Sequence, residues 1–365
     1  MRICLVANNL NPHAGWGRLV SNVAEKIKTL GHEVGFILEK GVNNENTLVV
    51  PLNLKLSNLF NLPGSMRRVR RFAAGYDAVI SYDINPYGIV VSLAMLGLKK
   101  KKVAYAIATY SVLTSGHFFK NMLMRWAYQQ ADAVWSVSKF VVQQIEKSGY
   151  KIKTCEIIPV GVDTSFFKKT ERSVSRPIPS PYILSVGALK YRKGFHVSIP
   201  AFAAIAKDFP DLKYVIIGDQ DMSYAKRMKA LAAELQIEDR IIFLEKISDE
   251  DLLKYYYNAS LFVLTPITTR EMIEGFGMVY LEAGACARPV VGTLDSGAEA
   301  AIVEGVTGFL AQPEAGAVAI AMRKILENAT LAASMGANGV KRAAEFDWDK
   351  VAGMYVDSLQ KLLRS

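Results

Sequence analysis

The sequence predicts two α/β domains, each a doubly wound parallel sheet with helices on its faces. Three observations predict it. Short apolar runs closed by Gly, Pro or Ser alternate with amphipathic segments along nearly the whole chain, the pattern of repeated βαβ units. At 365 residues and 51% hydrophobic content, the chain can fill two cores of ordinary size. A charged, Ser- and Pro-rich stretch from Thr164 to Pro181 interrupts the alternation, and a strand ending in glycine restarts it at Tyr182.

The elements follow in order. Residues 2–7 are a buried strand, so the chain opens on structure rather than on a secretory leader. A loop rich in Asn, Pro and Gly leads to an amphipathic helix over 18–30, ended by Gly31, and a second strand over 34–38. The pair Gly15 and Gly17 in that loop is either a ligand-facing glycine turn or a plain one. Strands follow at 76–81, 102–107 and 131–138, the last leading into a helix over 139–147. The second half shows strands at 182–187, 212–218 and 240–244, with helices over 226–235 and 248–257, the latter capped by Ser248. A strand over 259–266, a helix over 277–287 and a strand over 289–293 form one further unit, and helices run from Gly316 to the end.

Charge narrows the partners. The net charge of +10 suggests an anionic one: a nucleotide diphosphate, a phospholipid surface or nucleic acid. No arginine-rich tail, zinc finger or RNA-binding signature is present, so nucleic acid is set aside. Cys4, Cys155 and Cys286 are isolated and odd in number, which reads as buried free thiols in a reducing compartment. The longest apolar stretch, Tyr87 to Leu98, is too short to span a bilayer. The expectation is a cytoplasmic protein that is soluble or rests on the inner face of the membrane. Three features suit an anionic lipid surface: Met66 to Phe72 with four arginines, Lys99 to Lys102, and the aromatic-basic run His117 to Trp126. The alternative is a solvated helix face with core aromatics.

Two stretches carry chemistry. In Glu274-Gly-Phe-Gly-Met-Val-Tyr-Leu-Glu282, Glu274 lies in a loop and Glu282 more than one turn into the following helix. Gly275 and Gly277 permit close approach to the backbone, and the free N–H groups at the helix start suit a phosphate. A carboxylate there serves to accept hydrogen bonds from sugar hydroxyls. In Ala188-Leu-Lys-Tyr-Arg-Lys-Gly194, Lys190, Arg192 and Lys193 follow a strand that ends in Gly187, which reads as a phosphate clamp or as an exposed basic loop. Asp219 and Asp221 form a triplet with no converging oxygens in the sequence, and no metal site is assigned to them.

The string Glu-Gly-Phe-Gly followed by Leu-Glu-Ala closely resembles the donor-site signature of glycosyltransferase family 4. That resemblance implies the GT-B fold, two Rossmann-like domains facing a cleft: an acceptor-binding domain over 1–165, rejoined by a C-terminal helix at about 348–365, and a nucleotide-sugar domain over 166–347. It implies a retaining hexosyltransferase that uses a nucleotide-diphosphate sugar, a glycan, lipid-linked or small-molecule acceptor, and no metal or other cofactor. Glu274, Lys193 and Arg192 would act at the reacting centre. Gly15, Gly17, Arg18, Gly187, Lys190, Gly194, Gly275, Phe276, Gly277, Met278 and Glu282 would bind the donor, and His117 is either an acceptor or donor-sugar contact or a packing or surface residue beside Phe118 and Phe119. The sequence departs from the family at Ile107, where a histidine is usual, and at Ala188, where an arginine is common. An inactive homologue acting as a scaffold, a sugar epimerase and a phosphorylase are the alternatives.

Overall fold

The computed structural model describes residues 1–11, 15–52, 62–112, 117–168, 175–220 and 222–365. It divides into two compact units, Met1–Gly161 with Trp348–Ser365, and Val162–Asp347.

The first unit contains β1 (Arg2–Ala7), α1 (Gly15–Thr29), β2 (Glu33–Leu38), β3 (Thr47–Val49), α2 (Leu62–Ala73), β4 (Ala78–Tyr82), α3 (Ile89–Ala94), β5 (Lys101–Ala106), α4 (Phe118–Gln130), β6 (Ala133–Ser136), α5 (Lys139–Lys147) and β7 (Cys155–Ile157). Its seven strands run in the order β3-β2-β1-β4-β5-β6-β7, with each neighbouring pair parallel. Helices cover parallel sheets on both faces, which is why β1 and β4 are continuous apolar runs with almost no exposed position. Helix α1 buries Leu19, Val20, Val23, Ala24 and Ile27, one face of a 3.6-residue repeat.

The second unit contains α6 (Thr164–Lys168), β8 (Tyr182–Val186), α7 (Phe195–Ala206), β9 (Lys213–Ile217), α8 (Met222–Glu234), β10 (Ile241–Leu244), α9 (Asp249–Asn258), β11 (Leu261–Val263), α10 (Met278–Ala285), β12 (Val290–Thr293), α11 (Ala298–Ala301), β13 (Gly308–Ala311), α12 (Ala315–Leu326) and α13 (Ala329–Glu345). Its sheet order is β10-β9-β8-β11-β12-β13, again parallel throughout. Ser248 caps α9, its hydroxyl accepting from the Asp251 N–H at 3.0 Å. The last helix, α14 (Trp348–Arg364), belongs to the first unit. There Tyr355 packs on Trp135 and Tyr105 at ring distances of 5.0 and 5.6 Å, and Lys26 pairs with Asp349 at 2.7 Å.

Three expectations shift. The division falls at 161/162, not 165/166, because α6 packs into the second unit. Phe167 meets Tyr256 edge-on at 5.8 Å, and the Tyr257 hydroxyl donates to the Phe167 carbonyl. Cys155 is half-buried at the sheet edge, whereas Cys4 and Cys286 are buried thiols as expected. Strand β5 begins at Lys101, one residue ahead of the expected start, so Lys101 as well as Lys102 of the four consecutive lysines is a strand residue. Asp221 and part of the 164–181 stretch lie outside the described residues.

Candidate active site

In the second unit the winding of the sheet reverses between β8 and β11, which are hydrogen-bonded neighbours. Ligands of open α/β sheets bind beyond the strand C-termini at such a reversal. Both chemistry-bearing stretches leave the sheet there, residues 187–194 after β8 and 264–277 after β11.

The first loop is shaped by glycine and by contacts to the second. Gly194 has φ +73°, and a Cβ there would lie 1.6 Å from the Thr265 carbonyl oxygen, so no other residue fits. The Thr265 hydroxyl donates to the Gly194 carbonyl at 2.6 Å, and the Ile267 N–H donates to the Arg192 carbonyl at 3.0 Å. A short 3₁₀ turn, Tyr191–Lys193, then presents two successive cations. The Tyr191 ring stacks on His196 at 4.6 Å and 7°, fixing the turn against α7.

Both cations converge on one oxygen. Lys193 Nζ lies 3.0 Å from Glu274 Oε2, and Arg192 Nη1 donates to the same atom. Lys193 and Glu274 are buried. Burial opposes the charge on Glu274, yet Lys193 and Arg192 together outweigh it and hold the carboxyl below the usual range. Burial lowers Lys193, and the neighbouring Arg192 cation adds to it against the opposing pull of Glu274 and Glu282. The cluster is a charge-compensated triad with one net positive charge.

The Glu274 loop is held from behind. Gly297 N–H donates to the Glu274 carbonyl at 2.8 Å, and a Cβ on Gly297 would meet the Gly275–Phe276 backbone at 2.2 Å. Gly277, at φ +80°, is the N-cap of α10 and offers no side-chain acceptor to the helix start. At α7 the corresponding place is filled, because the Tyr224 hydroxyl accepts from the His196 N–H at 3.2 Å. Glu282 lies inside α10, buried, and its Oε2 accepts from the Tyr256 hydroxyl at 2.7 Å.

The structure thus brings together Glu274, Arg192, Lys193 and Gly194, with Gly275, Gly277 and Met278 on the adjoining loop and helix start. Gly187, at φ +153°, lies beside the Lys193 side chain. Phe276 is buried on Phe346 at 5.5 Å, so only its backbone faces the loop's ligand side. Lys190 is exposed and outside the triad. Gly15, Gly17, Arg18 and His117 belong to the first unit. Gly17 serves packing there, since a Cβ would meet Asn11 backbone at 2.1 Å. His117 is exposed at the start of α4, and Ile107 is buried just past β5. Sequence reasoning missed Thr265, Tyr256 and the bracing role of Gly297.

The fold and site define a class: two parallel-sheet Rossmann-like domains of GT-B type, with a cationic clamp at one switch point. Solved structures share this fold. Sucrose-phosphate synthase from Thermosynechococcus elongatus aligns over 100% of this chain and 99% of its own, with TM-score 0.81 and 21% identity. The family model described as "Glycosyl transferases group 1" matches residues 167–342, and that described as "Glycosyltransferase Family 4" matches 14–166. The chain belongs to this glycosyltransferase family, a family of transferase enzymes. Among named relatives, D-inositol 3-phosphate glycosyltransferase of Acidothermus cellulolyticus is 28% identical over 63% of this chain and 55% of its own length. A GDP-mannose-dependent alpha-(1-6)-phosphatidylinositol monomannoside mannosyltransferase of Mycolicibacterium smegmatis is 28% identical over 69% of each. The match thus spans little more than half of the first relative.

Proposed function

We propose that the chain transfers a hexosyl unit from a nucleotide-diphosphate sugar to a glycan, lipid-linked or small-molecule acceptor, with retention of anomeric configuration. The observation that carries this is the convergence of Arg192 and Lys193 on Glu274 at the sheet's switch point. Cleavage of the sugar–diphosphate bond leaves charge on the diphosphate. The two cations and the open start of α10 are suited to receive it, and this reading assigns no metal or other cofactor. Arg192 supplies the guanidinium that Ala188 lacks. Glu274 accepts from donor-sugar hydroxyls and Glu282 from ribose hydroxyls. Retention is supported by family membership.

A panel of UDP- and GDP-sugars, with released nucleotide measured and the sugar product identified, tests the reaction. A donor that is turned over to a transferred sugar supports it; no turnover of any donor favours the scaffold reading. Glu282→Ala weakens binding of the bare nucleotide by about 1–3 kcal/mol, the loss of hydrogen bonds to a buried carboxylate. Titration calorimetry reads it, and unchanged affinity removes Glu282 from the ribose role.

The same proposal places a lipid-linked acceptor at an anionic membrane. No helix among the described residues is long and apolar enough to cross one. Phe118, Phe119 and Met122 on α4 are instead 75%, 74% and 50% exposed, so the start of the aromatic run is not core, while Met124 further along it is buried. Arg67, Arg68, Arg70 and Arg71 on α2 are exposed as well. Arg70 is a strut, donating to the Ala94 and Leu96 carbonyls at 3.1 and 2.6 Å. The test therefore leaves it in place. Sedimentation with anionic but not neutral vesicles is expected, lost at 1 M salt where the Debye length is about 3 Å. It is also expected to be lost in Phe118→Ser/Phe119→Ser and weakened in Arg67→Ser/Arg71→Ser, by about 1 kcal/mol per cation. Indifference to lipid charge leaves a water-borne acceptor.

A further inference from the structure

Three unfavourable features meet at Asp83, where β4 ends in the first unit. Its φ of 73° and ψ of 158° fall in a region essentially reserved for glycine. Its side chain is fully buried. Its Oδ2 has no hydrogen-bond partner, whereas buried carboxyl oxygens are nearly always paired. Such costs concentrate at functional positions and persist only where the surroundings enforce them.

The position is a switch point too, since the first sheet reverses between β1 and β4. Asp83 Oδ1 accepts from the Ile107 N–H at 3.0 Å, the Ala108 N–H at 3.5 Å and the Ser111 hydroxyl. Those donors form the turn after β5, whose backbone carries Tyr110. The Tyr110 ring is 53% exposed and meets Trp16 of α1 edge-on at 5.9 Å. A buried carboxyl thereby ties the ends of two strands to an aromatic pair, the exposed Tyr110 and the partly buried Trp16.

We propose that Asp83 is a positioning residue: its carboxylate latches the turn that carries Tyr110, and a proton taken up at Oδ2 loosens that latch. Its place in the reaction rests on the reading of this unit as the acceptor-binding half, but the latch itself is tested without substrate. The ionised form makes three charge-assisted bonds through Oδ1, and protonation turns them into weaker neutral ones. Burial pushes the carboxyl up to about 6, against the pull of Ser111, Ile107 and Ala108. The titratable groups facing it are phenols: Tyr87 from the turn at 84–88, Tyr105 from β5 and Tyr128 from α4. Tyr82 of β4 and Tyr355 of α14 pack on Tyr105, and the Tyr87 hydroxyl donates to Glu39 at 3.3 Å. None is a cation that would fix the charge.

Trp16 reports the latch. Its emission is isolated as the difference between the protein and Trp16→Phe, and followed from about pH 5 to about pH 8. The difference signal is expected to titrate with a midpoint near the carboxyl's own, about 6. In Asp83→Asn, which keeps the Oδ1 acceptor but cannot ionise, the transition disappears. Ser111→Ala removes one bond to the carboxylate and moves the midpoint up, which decides the matter even if Asp83→Asn does not fold. A pH-independent Trp16 signal in the unaltered protein, or an unmoved midpoint in Ser111→Ala, overturns the proposal. Loss of transfer activity alone bears on the proposed reaction and leaves this reading standing.

Discussion

Lys193→Met lowers turnover of the nucleotide sugar by about 10²–10³-fold, the usual effect of removing one preorganised donor from a developing anion. The expectation follows from position. Lys193 is buried, its turn is fixed by Gly194 and by the Ile267 bond to the Arg192 carbonyl, and its ammonium is already aimed into the site. Methionine keeps the length of the side chain without its charge. The same substitution weakens binding of the nucleoside diphosphate far more than of the nucleoside, because only the diphosphate carries charge to lose. Equal weakening of both, or unchanged turnover, makes Lys193 a structural partner of Glu274 and no more. Its removal also leaves Glu274 with one cation. Glu274 then loses part of the attraction that keeps its carboxyl below the usual carboxylate range. A depressed carboxyl stabilises the fold above its ordinary value, and that contribution disappears as the pH falls below it. In Lys193→Met the folded-state value lies nearer the ordinary one, so the variant has less of this stabilisation to lose and destabilises less on acidification, which a series of thermal melts below neutrality reads.

Glu274→Gln separates the sugar from the phosphate. Turnover is expected to fall by about 10–100-fold, the worth of about 1.5–3 kcal/mol for hydrogen bonds to a charged group. Affinity for the bare nucleoside diphosphate moves the other way. Glu274 pairs with both clamp cations through a single oxygen. An arriving diphosphate competes with it, so neutralising Glu274 tightens the bare diphosphate by about tenfold, or ~1.4 kcal/mol. Titration calorimetry on the variant reads the affinity, and a donor assay reads turnover. Weakened diphosphate binding shows that Glu274 organises the clamp rather than competing for it.

The α/β class and both chemistry-bearing stretches were legible in the sequence because each is local. A strand buried on both faces is a continuous apolar run wherever it occurs, and β1, β4 and β9 announce themselves so. Edge strands β3 and β7 lack that signature; β7 is only Cys155–Ile157 with a glutamate at its centre. Glu274 and Glu282 stand in one short string, and Arg192 and Lys193 in another.

That the two strings meet at one carboxylate oxygen was decided by the fold. The partners are 82 residues apart, and their meeting depends on β8 and β11 being neighbours at the reversal of the sheet. The fold also decided that Phe118 and Phe119 face outward, that Arg70 ties α2 to carbonyls at the end of α3, and that Asp83 is sealed from water. In sequence Asp83 is an ordinary polar residue closing a strand, and Gly297 an ordinary turn. Periodicity tells which side of an element is apolar, but not which distant element will cover it. Burial, charge pairing and the direction of a side chain come from that covering, and only the tertiary structure supplies it.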